Sequence, residues 1–237
     1  MNQKPWEVIS ELLQREELPA LDQYLQGLPT GEQVRALFRL TPDEQEKLLT
    51  LLPPESAADL IDDVPDAQAA ELLDNLEPGE AASIVNEMDS DEAADVLAEM
   101  DREDVEEILS LMDADEAAEA RQLIDFDPET AGGLMMKEYL SYPAATSMTE
   151  AVADIAVRGE EYPIYYLQHI FVVGPLGRLV GVAGLTDIAG AKPQTRLEEL
   201  ATPVDAINAS AGLDQLEEFF ESRDTPIAPV VDDAGRL

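Results

Sequence analysis

The sequence predicts an all-α repeat domain followed by an α/β domain, and three patterns support this fold class. Apolar residues recur at a fixed interval through the first half, residues that favour helix starts open the repeats, and strand-like runs alternate with helical stretches in the second half. The chain has 237 residues, which is enough for two domains with hydrophobic cores of their own.

The repeat is defined by one large apolar position that returns every 12 residues. An apolar pair such as Leu60 and Ile61 and a small residue such as Ala57 recur at fixed phase, three or four residues apart, which is one helix face. Val105 is the exception at the small position. The large position is occupied by Leu40, Leu52, Val64, Leu76, Met88, Met100 and Met112.

Most repeats open with Pro, Asp or Ser followed by acids, as expected for the first turn of a helix. A period of 12 leaves about two helical turns and a tight connection, and helices that short need neighbours to be stable. We therefore predict a compact α-superhelix. One long amphipathic helix is the alternative, and the recurring prolines argue against it: Pro42, Pro53, Pro54, Pro65 and Pro78.

The second half has the pattern of strands and helices in alternation. Strand-like runs cover residues 165–173, 179–184 and 227–231, and helical stretches cover residues 148–157 and 213–222. Turns with Pro or Gly, PLGR and DDAGR, follow two of these strands. The order helix, strand, strand, helix is predicted twice, which indicates an α/β fold built from two similar parts.

The net charge of −38 excludes some partners and favours others. Such a surface repels nucleic acid and anionic lipid and attracts cations. With no cysteine and one histidine, thiolate sites and transition-metal chemistry are not expected. Adaptation to high salt, in which acidity serves only solubility, is an alternative source of the charge.

The acids are concentrated where bases are missing. Residues 48–101 hold 16 acids and no Lys or Arg, so the predicted superhelix crowds carboxylates that a divalent cation such as Mg²⁺ or Ca²⁺ would relieve. Asp89, Asp91 and Asp95 resemble the start of an EF-hand, but the required mid-loop glycine is missing. No nucleophile–base pair or Walker loop is present in the sequence, and we do not expect an enzyme.

No signal peptide or membrane-spanning stretch is predicted. The best apolar stretch, residues 169–185, is interrupted by Pro175, Gly177 and Arg178. We therefore expect the residues of this chain to be soluble.

The segment TAGGLMMKEYLSYPAATSMTEAV, residues 130–152, resembles the start of the CBS domain pair (named for cystathionine β-synthase) in MgtE magnesium transporters. YYLQHIFVVGPLGRLVGVAGLTDI and TPIAPVVDDAGRL resemble CBS strand–turn–strand units, and LTLLPPESAADL and DSDEAADVL resemble the acidic N domain of that family. The resemblance implies an N domain at residues 1–128, a first CBS domain at 129–196 and a second at 197–237. Because the chain stops after the second hairpin turn, we expect the second CBS domain to be incomplete.

The resemblance implies the cytosolic, Mg²⁺-sensing region of a magnesium transporter, at the cytoplasmic face of the inner or plasma membrane. Such a region forms a homodimer through its CBS domains beneath its own transmembrane pore. At high Mg²⁺, ions between acidic faces of the N and CBS domains hold a compact form that keeps the pore shut. The implied Mg²⁺ ligands here are Asp59, Asp91, Asp95, Asp214 and Asp224.

The resemblance also implies ATP or another adenine nucleotide as a second ligand. Asp187 takes the position of the ribose-binding acid, although the hydroxyl residue expected three positions earlier is Gly184. Tyr165 and Pro229 are candidates to line an adenine pocket. Two alternatives stay open: a free-standing CBS protein that senses a nucleotide and regulates another partner, and a protein-docking scaffold whose acidity reflects high salt alone.

Overall fold

The computed structural model describes residues 3–158, 169–223 and 225–237, without the side chains of residues 158 and 185. The chain divides into two compact units, Met1–Asp125 and Phe126–Leu237, which we call the helical unit and the strand-containing unit. The domain bounds taken from the sequence, 1–128, 129–196 and 197–237, stay predictions.

The described part of the helical unit is built from short helices alone. They are α1 Pro5–Arg15, α2 Leu18–Gln26, α3 Thr30–Leu37, α4 Pro42–Leu51, α5 Pro54–Asp62, α6 Asp66–Asp74, α7 Pro78–Val85, α8 Ser90–Ala98, α9 Arg102–Leu111 and α10 Ala114–Ile124. From α4 onward the first residues of successive helices are 12 positions apart, which confirms the predicted repeat. No helix in the described residues is both long and apolar enough to cross a bilayer.

Stacking of alternate helices buries the repeated apolar positions. α7 packs against α5 and α9, and α8 packs against α6 and α10. The small position of the repeat lies in the core, where a methyl side chain allows neighbouring helices to approach closely. Its alanines, all buried, are Ala57, Ala69, Ala81, Ala93 and Ala117, and Val105 is buried at the same phase.

The strand-containing unit begins with a three-stranded sheet. β1 (Leu140–Pro143) pairs in parallel with β2 (His169–Val173), which pairs antiparallel with β3 (Leu179–Gly184). α11 (Met148–Arg158) lies between β1 and β2 in the chain, which gives a βαβ order. The buried side chains of this sheet include Leu140, Ile170, Val172 and Ala183, and the short helices α12 (Leu185–Gly190) and α13 (Leu197–Leu200) follow it.

The same strand–helix–strand order returns at smaller scale. β4 (Ile207–Asn208) pairs in parallel with β5 (Val230–Val231), and α14 (Leu213–Ser222) separates them in the chain. The predicted α/β character and its duplication are confirmed, while β1 and β4 are additions to the predicted elements. Residues 165–168 of the predicted strand lie outside the described residues.

The two predicted turns pair with each other. The backbone amide of Leu179 donates to the carbonyl of Gly235 at 3.0 Å, and the amide of Leu237 donates to the carbonyl of Gly177 at 3.1 Å. Both glycines have a φ of 74°, a conformation that glycine adopts without strain. Nε of Arg178 adds a hydrogen bond of 2.7 Å to the carbonyl of Ala234. These contacts join the two similar parts of the strand-containing unit.

We predict that Gly181→Ala destabilises the strand-containing unit. A β-carbon at this position in β3 would stand 2.3 Å from the carbonyl oxygen of Thr202, whose backbone exchanges hydrogen bonds with Val182. The backbone must therefore shift, at a cost of about 1–3 kcal/mol. Gly190→Ala is the matched control, because its β-carbon would meet no atom within 4 Å. Thermal unfolding measures both variants, and equal melting temperatures would contradict the prediction.

Candidate cation-binding site

The helical unit carries three of the acids expected to bind Mg²⁺. Asp59 is exposed on α5, and Asp91 and Asp95 are half-buried, one turn apart on the same face of α8. Asp214 is exposed in the first turn of α14, in the strand-containing unit. Asp224 lies outside the described residues. Among the described side chains, no three acids or histidines converge closely enough to enclose a metal ion.

A regular register brings the last turn of one helix to the first turn of the third helix after it. The hydroxyl of Thr50 on α4 donates to the carboxylate of Glu80 on α7 at 3.3 Å, across a separation of 30 residues. The same separation joins Asp62 on α5 to Glu92 on α8 by a side-chain hydrogen bond. It also places Asp74 on α6 close enough to Asp104 on α9 for the two charges to repel. We call these contacts the 30-residue register.

Asp62 and Glu92 have to share a proton in order to form their hydrogen bond, because two ionised carboxylates only accept. Partial burial is the main cause that raises the pKa of Asp62, followed by the hydrogen bond to Glu92 and the charges of Glu92, Asp89 and Asp59. The pKa of Asp62 reaches about 8, although its carboxyl group keeps some contact with solvent. The pair titrates as a unit, and at neutral pH it holds a proton.

Neighbouring acids of α5 and α8 experience the same environment. Burial raises the pKa of Asp59, and the negative charges of Glu55, Asp63, Asp22 and Asp89 raise it further. These contributions show that acids from α2, α5 and the start of α8 lie on one continuous surface. We call this surface the acidic face.

A second part of the acidic face lies between α6 and α8. Burial raises the pKa of Asp95, and the charge of Asp66 on α6 adds to this effect. Burial likewise raises the pKa of Glu92, with further contributions from Asp89, Asp63 and Asp66. The folded chain thus holds these carboxylates where a negative charge is unfavourable.

A cleft of about 380 Å³ opens on the acidic face between α2, α3 and α5. Four carboxylates line it, those of Asp22, Asp59, Asp62 and Asp63, together with hydroxyl and amide groups such as those of Ser56 and Gln33. All of these groups offer oxygen atoms, the ligands that Mg²⁺ and Ca²⁺ prefer. The cleft has room for an ion that keeps its water shell, so the donor set fits a hydrated divalent cation.

The acidic face contains no base from its own helices, since residues 48–101 have none. The ion pairs described in this unit lie on either side of that stretch, as in Lys47 with Glu16 at 3.3 Å and Arg121 with Glu106 at 3.5 Å. Repulsion across the acidic face can therefore be reduced by protons or by dissolved cations.

The residues expected to bind a nucleotide are only partly described. Asp187 is exposed in the first turn of α12, and a β-carbon added at Gly184 would stand 3.2 Å from its carboxylate. Pro229 is buried in front of β5, and its carbonyl accepts the amide of Ile207 at 2.9 Å. Tyr165 lies outside the described residues.

Sequence reasoning did not identify Asp22, Asp62 or Glu92 as members of the site. Asp22 belongs to α2, ahead of the 12-residue repeat, and no pattern connects it to the acids of α5. For Asp62 and Glu92 a clue existed in the periodicity, because Thr50 and Glu80 occupy the same phases. The separation of 30 residues could not be obtained without the pitch of the superhelix.

The whole fold resembles solved magnesium-transporter structures. One is the soluble part of a magnesium transporter, with a TM-score of 0.82 and 23% identity over 98% of this chain and 91% of that one. Another is the cytosolic domain of the Mg²⁺ channel MgtE in complex with ATP, with a TM-score of 0.82 and 27% identity over 97% of this chain and 93% of that one. The chain therefore has the fold of the cytosolic part of a magnesium transporter, a helical N domain followed by a CBS-like unit.

The sequence comparisons identify the family of the helical part. Residues 28–129 match the family model of the MgtE intracellular N domain, so this part of the chain belongs to that family. The magnesium transporter MgtE of Thermus thermophilus is 30% identical over 113 residues, which are 47% of this chain and 25% of that protein. The matched segment thus spans a quarter of the length of this relative.

We predict that the stability of the helical unit falls as the pH rises from about 4 towards about 8. The carboxyl of Asp62 has a pKa of about 3.9 when unfolded and about 8 when folded. Between these values the folded state binds more protons, so the free energy of unfolding decreases with increasing pH. Thermal unfolding of the whole chain, followed by circular dichroism across this range, measures the slope.

Asp62→Asn separates this cause from general acidity. The amide cannot ionise and still offers a donor to Glu92, so the variant should melt at a higher temperature above pH 8 and show a weaker pH dependence. Glu71→Gln, which removes another exposed carboxylate of the same unit, is the control. Identical slopes for Asp62→Asn and the parent chain would refute the shared-proton interpretation.

Proposed function

We propose that the chain is the Mg²⁺-responsive regulatory part of a magnesium transporter or channel and that it favours pore closure when intracellular Mg²⁺ is high. The observation that carries this proposal is the acidic face, where folding crowds carboxylates without a base and two of them share a proton. An ion that binds only the compact arrangement of these acids shifts the population towards that arrangement. The fold shared with magnesium-transporter cytosolic parts supports the assignment.

In this proposal Asp59, Asp91 and Asp95 of the helical unit hold hydrated Mg²⁺ together with Asp214 and Asp224 of the strand-containing unit. Each carboxylate contributes through one oxygen or through a bound water, which suits a weak site for an abundant ion. The shortage of three-acid groups among the described side chains agrees with such loosely coordinated sites. The chain acts by changing shape, without catalysis.

The proposed assembly is a homodimer through the strand-containing unit, at the cytoplasmic face of the membrane that holds the pore domain. Two helices of this unit expose apolar side chains. Val152 and Val157 on α11 are 43% and 79% exposed, and Leu213 and Phe220 on α14 are 49% and 42% exposed. Apolar groups on equivalent helices of the two similar parts fit a self-complementary interface.

We predict that millimolar Mg²⁺ makes the chain more compact, because cations bound between carboxylates remove the repulsion that favours an open arrangement. Small-angle X-ray scattering during a Mg²⁺ titration, at constant ionic strength, measures the radius of gyration. Asp91→Ala combined with Asp95→Ala should move the midpoint to higher Mg²⁺ by about tenfold, equivalent to about 1.4 kcal/mol.

Asp43→Ala combined with Glu46→Ala is the matched control, since both residues are exposed acids of α4 outside the stretch without bases. It should leave the midpoint unchanged. A radius that stays constant across the titration, or that responds equally to matched Na⁺, would contradict the sensor proposal and favour a scaffold adapted to salt.

A nucleotide-sensing function is the second candidate. One structure with the same fold is a complex with ATP. In this chain Asp187, exposed at the start of α12, is the proposed ribose ligand, and Tyr165 and Pro229 are proposed to line the adenine pocket. ATP or another adenine nucleotide would then regulate the same transporter, or another partner in a free-standing CBS protein.

We predict that Asp187→Ala weakens ATP binding by about tenfold, because two hydrogen bonds from a ribose to a carboxylate contribute about 1–3 kcal/mol. Isothermal titration calorimetry of the whole chain measures the affinity. Asp233→Ala, an exposed acid of the hairpin turn, is the control. ATP affinity that is equal in parent and Asp187→Ala would remove this residue from the proposed site.

A further inference from the structure

Three bases of the helical unit gather where α1 meets α3. Nζ of Lys4 lies 5.1 Å from the centroid of the Trp6 ring, and Cζ of Arg39 lies 5.6 Å from it. Arg35 precedes Arg39 by four residues, about one helical turn. Phe38, between the two arginines in sequence, is 41% exposed. We call these five residues the basic patch.

The basic patch is unusual in a chain with 52 acids and 14 Lys or Arg residues. Its three bases are exposed, and none of them forms an ion pair with a carboxylate in the described part of the chain. Nearby bases do so: Arg15 pairs with Glu11 at 3.9 Å, and Lys47 pairs with Glu16 at 3.3 Å. Grouped positive charges without a counter-charge repel each other, so an anionic partner stabilises this arrangement.

The composition of the basic patch is that of a protein interface. Trp and Arg are the residue types most enriched among those that dominate binding energy, and aromatic rings and Arg are enriched in interface cores. The Trp6 ring is half-buried against the core and carries cations over it, so it is less suited to insertion into lipid. The net charge of −38 also opposes approach to an anionic membrane.

The acidic cleft of the same unit is not within reach of the basic patch. Thr30 and Gln33 on α3 line that cleft. Arg35 follows Gln33 by two residues, so it points about 200° around the helix from it. The patch and the cleft of one helical unit therefore face different directions, and the carboxylates that the patch contacts belong to another molecule.

We propose that the basic patch docks on the acidic face of the helical unit in a second copy of this chain. The acidic face offers carboxylates from four helices without a competing base, and the patch offers three bases without a carboxylate. At physiological ionic strength charges more than about 8 Å apart are largely screened. The overall repulsion between two acidic chains is therefore weakened, while the ion pairs at the contact persist. The proposal holds whether or not the acidic face also binds Mg²⁺.

Carbodiimide cross-linking of the whole chain in EDTA tests the proposal without any role for Mg²⁺. The reagent condenses the Lys4 amine with a carboxylate in direct contact to give an amide. An equal mixture of ¹⁴N-labelled and ¹⁵N-labelled chains distinguishes links between copies from links within one copy by mass spectrometry. The expected product joins Lys4 of one isotope to Asp22 or to an acid of residues 59–66 of the other.

Arg35→Glu combined with Arg39→Glu should lower the yield of this mixed-isotope product at least threefold, about what the loss of two exposed ion pairs gives. The matched control is Arg15→Glu combined with Arg102→Glu, which makes the same change in net charge on exposed side chains of the same unit. It should keep the yield close to that of the parent. Circular dichroism confirms that both variants remain folded.

Several results would overturn the proposal. These are the absence of mixed-isotope links from Lys4, links only to acids outside the acidic face, or an equal loss of yield in the control variant. Co-sedimentation with phosphatidylserine-containing vesicles that depends on Arg35 and Arg39, without mixed-isotope links, would instead assign the patch to a membrane surface.

Discussion

Repulsion between carboxylates that the helical repeat holds at fixed positions is the constraint on which the rest of the structure depends. The period of 12 residues gives every helix an apolar side that must stack, and the stacking leaves no freedom in where the helix ends lie. Through the 30-residue register, the end of one helix meets the start of another. Where the pair is Thr50 and Glu80 the contact is favourable, and where it is Asp62 and Glu92 it requires a proton.

The sequence was sufficient for the repeat and insufficient for its pitch. Helix starts such as Pro42, Pro54 and Pro78 were predictable because proline in the first turn and a fixed apolar phase are local properties. The contact between Asp62 and Glu92 was not, because it spans two and a half repeats and depends on how neighbouring helices rotate against each other. β4 was missed for a related reason: its two residues become a strand only by pairing with β5.

The candidate site shows the same division. The concentration of acids and the missing bases were evident from composition, and they led to Asp59, Asp91 and Asp95 on α5 and α8. The cleft that adds Asp22 depends on α2 packing beside α5, which no periodicity indicates. Asp62 and Glu92 differ from their neighbours only in three-dimensional surroundings, which raise the pKa of each.

Three kinds of positive charge can relieve the repulsion, and each has a different consequence. A proton on the Asp62–Glu92 pair makes the unit sensitive to pH, a hydrated divalent cation makes it sensitive to Mg²⁺, and the basic patch of a second chain makes it sensitive to association. All three act on the same acidic face, so they compete with one another. In the proposed function, the divalent cation is the one that the transporter responds to.

Proton release on addition of Mg²⁺ tests this account most directly. With the pKa of Asp62 at about 8, the pair holds a proton at pH 7. A cation that takes its place must displace that proton. Potentiometric titration in weakly buffered solution at constant ionic strength should record release of up to about one proton per chain at pH 7 and little above pH 9. If Mg²⁺ binds and no protons are released at pH 7, the shared proton and the cation do not compete for the acidic face, and the account is wrong.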